Sequence, residues 1–118
     1  MSKPFNIVTT CPAELAPMAE DLARFFADMV LKMAKNAHRG RWPNAELKNT
    51  FDHLVSEVKE LRDAILNESD EAVRLESADV ANQALIVGCV AIERRQNDAA
   101  PRAVELDETF KWPIFKPE

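Results

Sequence analysis

Apolar residues recur at helical spacing in two stretches of the chain. In each stretch the large apolar side chains are three or four positions apart, which places them on one face of an α-helix. The first set is Leu22, Phe25, Phe26, Met29, Val30 and Met33. The second set is Leu47, Phe51, Leu54, Val58, Leu61 and Ile65. The two stripes predict amphipathic helices over about 17–37 and 45–67, and we expect the first stripe to lie in the core.

A third stretch, over about 70–96, is apolar on nearly every side. From Ala72 to Ile92 its only ionisable residues are Arg74, Glu76 and Asp79. A helix of this kind is usually buried, and two partner helices from a chain of 118 residues can hardly cover it. We therefore expect the third helix to be buried in a homodimer or homotetramer, with Gly88 allowing another helix to approach closely.

Turn and capping residues separate the three stretches. Gly40 and Pro43 break the chain after the first helix, Asn44 is placed to cap the second, and Ser69 or Asp70 to cap the third. Continuous helical periodicity and a glycine count of two predict an all-α fold, an antiparallel helical bundle. We treat residues 1–118 as one domain, with its core at about 17–96 and an aromatic tail at about 97–118.

Composition narrows the classes of function. The formal net charge of −5 argues against a nucleic-acid surface, which needs a basic face. Cys11 and Cys89 fit no zinc-site spacing and are expected to be free thiols. No signal peptide is recognisable, and the longest apolar run, 84–92, is far shorter than the roughly 20 residues of a membrane span. We expect a cytoplasmic protein that binds neither nucleic acid nor membrane.

Two carboxylate pairs flank the turn between the second and third helices. Glu57 and Glu60 are three positions apart, as are Glu76 and Asp79, so each pair shares a helix face. A hairpin centred near Glu68 places Glu57 opposite Asp79 and Glu60 opposite Glu76. Four carboxylates in one groove repel one another unless a hard cation binds them, which predicts a Mg²⁺ or Mn²⁺ site. Taken alone, Glu57 and Glu60 fit solvated surface charges better, as most helical glutamates do; it is their mirroring by Glu76 and Asp79 in a buried helix that favours the metal site.

Other polar residues leave alternatives open. The segment after the first helix carries His38, Arg39, Arg41 and Trp42, which suit phosphate and base binding but also describe a solvated basic loop. Lys32 and Lys35 can add charge there, and we include Lys35 among the substrate-binding residues. Asn82 and Gln83 either read a sugar or base or hydrogen-bond to neighbouring helices. His53 is either an outer group of the metal site or, as we favour, a surface histidine.

The carboxylate motif resembles a known family. Glu57-Val-Lys-Glu60 followed by Glu76-Ser-Ala-Asp79-Val-Ala-Asn82 resembles the MazG-type all-α nucleoside triphosphate pyrophosphohydrolases, whose signature is EExxE, a gap, then ExxD. The segment from His38 to Trp42 resembles a loop that precedes the signature in many members. The chain departs from the pattern at Ser56, where the fuller motif has its first Glu. The resemblance covers roughly residues 20–95.

The resemblance implies an activity and a set of roles. Members cleave a nucleoside or deoxynucleoside triphosphate between the α and β phosphates with Mg²⁺, as part of nucleotide metabolism and its housecleaning. Glu57, Glu60, Glu76 and Asp79 become metal ligands, and Trp42 a base contact. Phosphorus chemistry also needs a base for the attacking water, which we assign to Glu57 or Glu60.

Three other functions are alternatives to nucleoside triphosphate pyrophosphohydrolysis. A phosphoribosyl-ATP pyrophosphohydrolase-like enzyme and a non-catalytic helical module that binds nucleotide or protein are the alternatives that remain. A di-iron bundle is excluded because the chain has no Glu-x-x-His pair.

Overall fold

The protein is described from a computed structural model, which covers residues 3–7, 9–37 and 46–97, with side chains as far as residue 94. A short 3₁₀ helix, Ala13–Met18, leads into α1 (Ala19–Lys35), followed by α2 (Leu47–Asn67) and α3 (Asp70–Asn97). No strand occurs in these ranges. The predicted all-α class is confirmed, and the three predicted helices lie within two residues of their expected bounds.

The helix starts follow from local chemistry. Ser69 caps α3: the Ala72 backbone N–H donates to Ser69 Oγ at 3.2 Å, and the Val73 N–H donates to the Ser69 carbonyl at 3.1 Å. Pro17 lies inside the 3₁₀ helix, so α1 begins two residues later than the predicted start. The predicted cap Asn44 lies outside the described residues.

α2 and α3 form an antiparallel hairpin around the turn at Glu68 and Ser69. The two helices make the most extensive contact between elements in the described chain. Far from the turn, the Gln83 side-chain amide donates to the Thr50 carbonyl at 3.1 Å. Val55 and Ala64 of α2 are buried, as are Ala78 and Val90 of α3. The hairpin therefore fixes which residues of α2 face which residues of α3.

α1 packs against α3 and, in the part of the chain that the structure covers, does not contact α2. Arg74 donates two hydrogen bonds to Asp28, from Nε at 2.7 Å and from Nη2 at 2.6 Å. The Asn82 amide donates to the Met29 carbonyl at 3.0 Å. These contacts attach one side of α1 to α3 and leave its other sides without a helix partner.

The prediction that the first apolar stripe is core is wrong for the single chain. Leu22, Phe25, Phe26 and Val30 are between 38% and 47% exposed, whereas Met29 and Met33 are half-buried. The physical reason is that the apolar stripe of α1 is wider than the surface of α1 that contacts α3. α3 covers the edge that carries Asp28 and Met29, and no described element covers the rest.

The expected burial of α3 holds only for the sides that face α1 and α2. Leu85 is 37% and Ile92 57% exposed. A Cβ added at Gly88 would meet no atom of the described residues within 4 Å, so none of them covers that face. Two helices cannot enclose a helix that is apolar all round, and part of its apolar surface stays exposed in one chain.

α3 is also long and apolar enough, over Asp70–Arg94, to cross a membrane by length and composition alone. Core helices of soluble proteins meet the same criterion, so this is weak evidence for a membrane. Arg74, Glu76 and Asp79 lie within the stretch, and ionisable groups are rare in spans. Arg74 pairs with Asp28 and Asp79 with Lys32, both on α1, so two of these three side chains have a partner of opposite charge without a bilayer.

Candidate metal centre

Three carboxylates converge where α2 faces α3. Glu57, Glu76 and Asp79 each offer an oxygen, and these three atoms lie within 4.8 Å of one another. Glu57 comes from α2, whereas Glu76 and Asp79 lie one turn apart on α3. The predicted pairing of Glu57 with Asp79 across the hairpin is thus confirmed. We call these three residues the acidic cluster.

Glu60, the fourth predicted ligand, is at the margin of the acidic cluster. Its side chain is exposed, and it is not among the three that offer converging oxygens. Its negative charge nevertheless contributes to raising the pKa of both Glu57 and Glu76. Glu60 therefore lies within electrostatic range of the cluster while remaining open to water.

Burial and mutual repulsion disfavour the charged forms of these carboxylates. The pKa of Glu57 is raised to about 7, first by loss of hydration, followed by the charge of Glu60, a side-chain hydrogen bond with Glu60, and the charges of Asp79 and Glu76. The pKa of Glu76 is also raised, first by burial and then by Asp79 and Glu60. A metal-free cluster at neutral pH therefore holds more negative charge than its surroundings stabilise.

Two oxygens of the acidic cluster have no partner. Glu57 Oε2 and Glu76 Oε2 are buried and accept no hydrogen bond from the described residues. Buried polar atoms are normally satisfied, so an orphaned carboxylate oxygen calls for an explanation.

The residues present fit a hard divalent cation. Oxygens that bind Mg²⁺ at about 2.1 Å in an octahedron lie roughly 3 to 4 Å apart. The spacing of up to 4.8 Å in the acidic cluster is slightly wider, and small side-chain rotations close it. Three anionic oxygen donors with unused lone pairs are what Mg²⁺ and Mn²⁺ prefer. Glu57, Glu76 and Asp79 would hold the cation, with Glu60 beside them.

Two basic side chains, a lysine and a histidine, reach the acidic cluster. Lys32 Nζ lies 3.2 Å from Asp79 Oδ2, with the two side chains 21% and 22% exposed. His53 Nε2 lies 3.4 Å from Glu57 Oε1, and this ring is 57% exposed. His53 is thus a surface histidine, as favoured, but it also touches a cluster carboxylate.

Sequence reasoning missed the role of Lys32, which it placed beside the basic loop. The available signal was its position between Met29 and Met33 on the apolar side of the first helix. A lysine in such a place needs an acidic partner on the helix that packs there. Asp28, on the same side of α1, carries the same signal; it is buried, and its hydrogen bonds from Arg74 lower its pKa.

The predicted substrate-binding residues are separated by the structure into three groups. Lys35 is exposed on the last turn of α1. His38, Arg39, Arg41 and Trp42 lie outside the described residues. Asn82 and Gln83 are buried, and their amide groups donate to backbone carbonyls of α1 and α2. Of the two alternatives for these amides, the structural one has direct geometric support, although Asn82 Oδ1 is buried without a partner.

Comparisons of the chain with protein-family models, with curated proteins and with solved structures found no match. The case for a function therefore rests on the acidic cluster and its surroundings.

Proposed function

We propose that this protein is a Mg²⁺-dependent nucleoside triphosphate pyrophosphohydrolase of the MazG type, which cleaves an NTP or dNTP to the monophosphate and pyrophosphate. One observation carries the proposal: Glu57, Glu76 and Asp79 converge from two helices, and two of their buried oxygens have no partner among the described residues. A purely structural acidic groove would be expected to satisfy those oxygens with protein donors.

Each carboxylate has a role in this proposal. Glu57, Glu76 and Asp79 hold Mg²⁺, with Glu60 completing the set. The bound cation would neutralise charge on the phosphate oxygens. Glu60 is exposed and outside the converging three, so it is the better placed of the two α2 glutamates to accept the proton of the attacking water.

The substrate-binding part of the proposal depends on chain connectivity. Lys32 reaches the acidic cluster, and only five residues separate it from His38 along the chain. The segment 38–42 lies outside the described residues, and we propose that this short connection lets it contact the bound substrate. Its two arginines suit phosphate oxygens, and Trp42 offers a stacking face for a base.

Assembly is part of the proposal. Several large apolar residues of α1, and Leu85 and Ile92 of α3, are exposed in the described chain, and contiguous exposed apolar patches often mark contacts between proteins. A glycine in mid-helix destabilises by roughly 0.5–1 kcal/mol relative to alanine, and nothing in the described chain contacts Gly88. A second copy that approaches α3 closely would explain both features, so we infer a homodimer or a homotetramer in the cytoplasm.

The test is a substrate panel with product identification. The wild-type protein is incubated with Mg²⁺ and each NTP, dNTP and phosphoribosyl-ATP, and the products are separated by ion-exchange chromatography. We expect monophosphate and pyrophosphate in equal amounts. Glu76→Gln should abolish the reaction, whereas Glu20→Gln, an exposed residue of α1, should not alter it. Cleavage of phosphoribosyl-ATP alone would show that this nucleotide is the substrate. If no nucleotide were cleaved, the non-catalytic binding module would be the remaining function.

A further inference from the structure

Lys32 forms the most enclosed lysine ion pair in the described chain. Both partners of the Lys32–Asp79 pair are about four-fifths buried. By contrast, the side chains of the Lys48–Asp52 pair are both 46% exposed. An enclosed pair is screened less by water and salt than an exposed one. The ammonium of Lys32 therefore has a defined place at the acidic cluster.

The packing of α1 on α3 holds Lys32 in that place. Asp28 lies one turn before Lys32 on the same side of α1, and its two hydrogen bonds from Arg74 fix α1 against α3. The hydrogen bond from Asn82 to the Met29 carbonyl adds a second attachment. Lys32 thus reaches Asp79 from a helix that supplies no ligand to the acidic cluster.

Lys32 and a divalent cation would compete for the same carboxylate. Asp79 is both the partner of Lys32 and one of the three residues whose oxygens converge. An ammonium 3.2 Å from a ligand oxygen lies close to any cation bound there, and like charges at that separation repel. The long, flexible stem of lysine lets its ammonium move several ångströms without movement of the helix.

We propose that Lys32 is the counter-cation of the metal-free acidic cluster and that it releases Asp79 on metal binding, after which its ammonium binds a phosphate oxygen of the substrate. This inference rests on the proposed function, because it assumes that the cluster binds a divalent cation. It makes metal and nucleotide binding cooperative: the nucleotide supplies a new partner for the displaced ammonium, so each ligand strengthens the binding of the other.

A Mn²⁺ titration tests the competition without measuring activity. Free Mn²⁺ is followed by electron paramagnetic resonance for wild type, Lys32→Met, Lys32→Arg and Lys48→Met, with and without a non-hydrolysable nucleoside triphosphate. Without nucleotide, Lys32→Met should bind Mn²⁺ roughly three- to tenfold more tightly than wild type, because the competitor is lost. Lys32→Arg keeps the charge and Lys48→Met removes an exposed pair, so both should bind as wild type does. With nucleotide, the gain in Mn²⁺ affinity seen for wild type should shrink in Lys32→Met.

Chemical labelling of the wild-type protein gives a second measurement, which holds even if Lys32→Met does not fold. The rate of acetylation of each lysine is read by mass spectrometry with and without Mg²⁺. Mg²⁺ should speed the acetylation of Lys32 severalfold and leave that of Lys48 unchanged.

The outcomes separate the two proposals. If wild type binds Mn²⁺ but Lys32→Met binds it no more tightly, or if Mg²⁺ leaves Lys32 labelling unchanged, the role of Lys32 is overturned and the metal site stands. If wild type binds no Mn²⁺ under any condition, the metal site and the role of Lys32 are both overturned.

Discussion

At the scale of single residues, the surroundings of Glu57 disfavour its charged form. Its side chain is 18% exposed beside Glu76 and Asp79, its buried Oε2 has no hydrogen-bond partner among the described residues, and its pKa is raised to about 7. The groups around it are Glu60 and His53 on α2, Glu76 and Asp79 on α3, and Lys32 on α1. Most of these are acidic, so proton uptake by Glu57 relieves repulsion in the metal-free state.

The raised pKa of Glu57 predicts that the metal-free protein loses stability as pH rises from about 5 to 8. The native carboxyl holds its proton up to about pH 7, whereas an unfolded glutamate loses it near pH 4.3. Between these two pH values the native state holds a proton that the unfolded state has released. The free energy of unfolding therefore falls as pH rises and levels off above about pH 7. Melting temperature in EDTA should fall across this range, and Glu57→Gln should flatten the fall and raise the value at pH 8.

Saturating Mg²⁺ provides the matched condition for this pH series. Metal binding requires deprotonated carboxylates, so the stabilisation by Mg²⁺ should grow as pH rises. A wild-type melting temperature in EDTA that stayed constant or rose between pH 5 and 8 would contradict the assigned environment of Glu57.

At the scale of elements, the α2–α3 hairpin is the part that sequence predicts best. Its turn is marked by a run of polar residues with capping ability, and a two-residue turn leaves little freedom in register. The spacing of Glu57 and Asp79 from that turn then places them opposite each other. Local chemistry was sufficient here because neighbouring helices joined by a short turn pack in only one way.

The cap at Ser69 gives a quantitative test of the hairpin. Ser69→Ala removes the acceptor for the Ala72 N–H and should lower the free energy of unfolding by about 1 kcal/mol. Ser69→Asp keeps a capping oxygen and should retain most of that stability. Ser56→Ala is the control, because the Ser56 hydroxyl only donates to the Asp52 carbonyl within α2. Urea unfolding of the three variants measures the differences, and equal values for Ser69→Ala and Ser56→Ala would contradict the capping role.

The placement of α1 is what sequence could not supply. Its apolar stripe predicts a helix with a buried face but not which helix covers it or how much of it. The structure attaches α1 to α3 through Asp28 and Lys32, two charged residues beside the stripe. Pairings between helices far apart in sequence depend on the whole packing arrangement, which periodicity does not encode. For the same reason, the sequence does not identify Asp79 as the partner of Lys32.

At the scale of the whole molecule, the described residues leave large apolar side chains of α1 and α3 exposed. Leu22, Phe25, Phe26 and Val30 of the α1 stripe and Leu85 and Ile92 of α3 are exposed, and α1 contacts α3 but not α2 in the described chain. Composition and helix count predict that apolar surface stays exposed, because two partner helices cannot enclose a third helix that is apolar all round. Composition and helix count do not indicate which face of α1 or α3 would contact the second copy that we propose.

Gly88 offers a test of assembly. Because a Cβ there meets no atom of the described residues within 4 Å, Gly88→Ala should stabilise the isolated chain by roughly 0.5–1 kcal/mol through helix propensity. Gly88→Leu adds bulk on the face that we assign to the second copy, and it should shift sedimentation towards the monomer. Glu71→Leu, an exposed change on the first turn of α3, is the control and should leave the assembly intact. A wild-type monomer at micromolar concentration, or an unchanged oligomer in Gly88→Leu, would rule out this interface.

The most direct test of the acidic cluster is the rate of pyrophosphate release from the preferred triphosphate at saturating Mg²⁺, compared between wild type and Asp79→Asn. The amide keeps the shape of the side chain but removes the charge that pairs with Lys32 and that, in our proposal, would bind the cation. The account predicts pyrophosphate as the product of the wild type and a rate at least about 100-fold lower for Asp79→Asn, with circular dichroism unchanged. Undiminished pyrophosphate release by Asp79→Asn, or inorganic phosphate as the wild-type product, would contradict it.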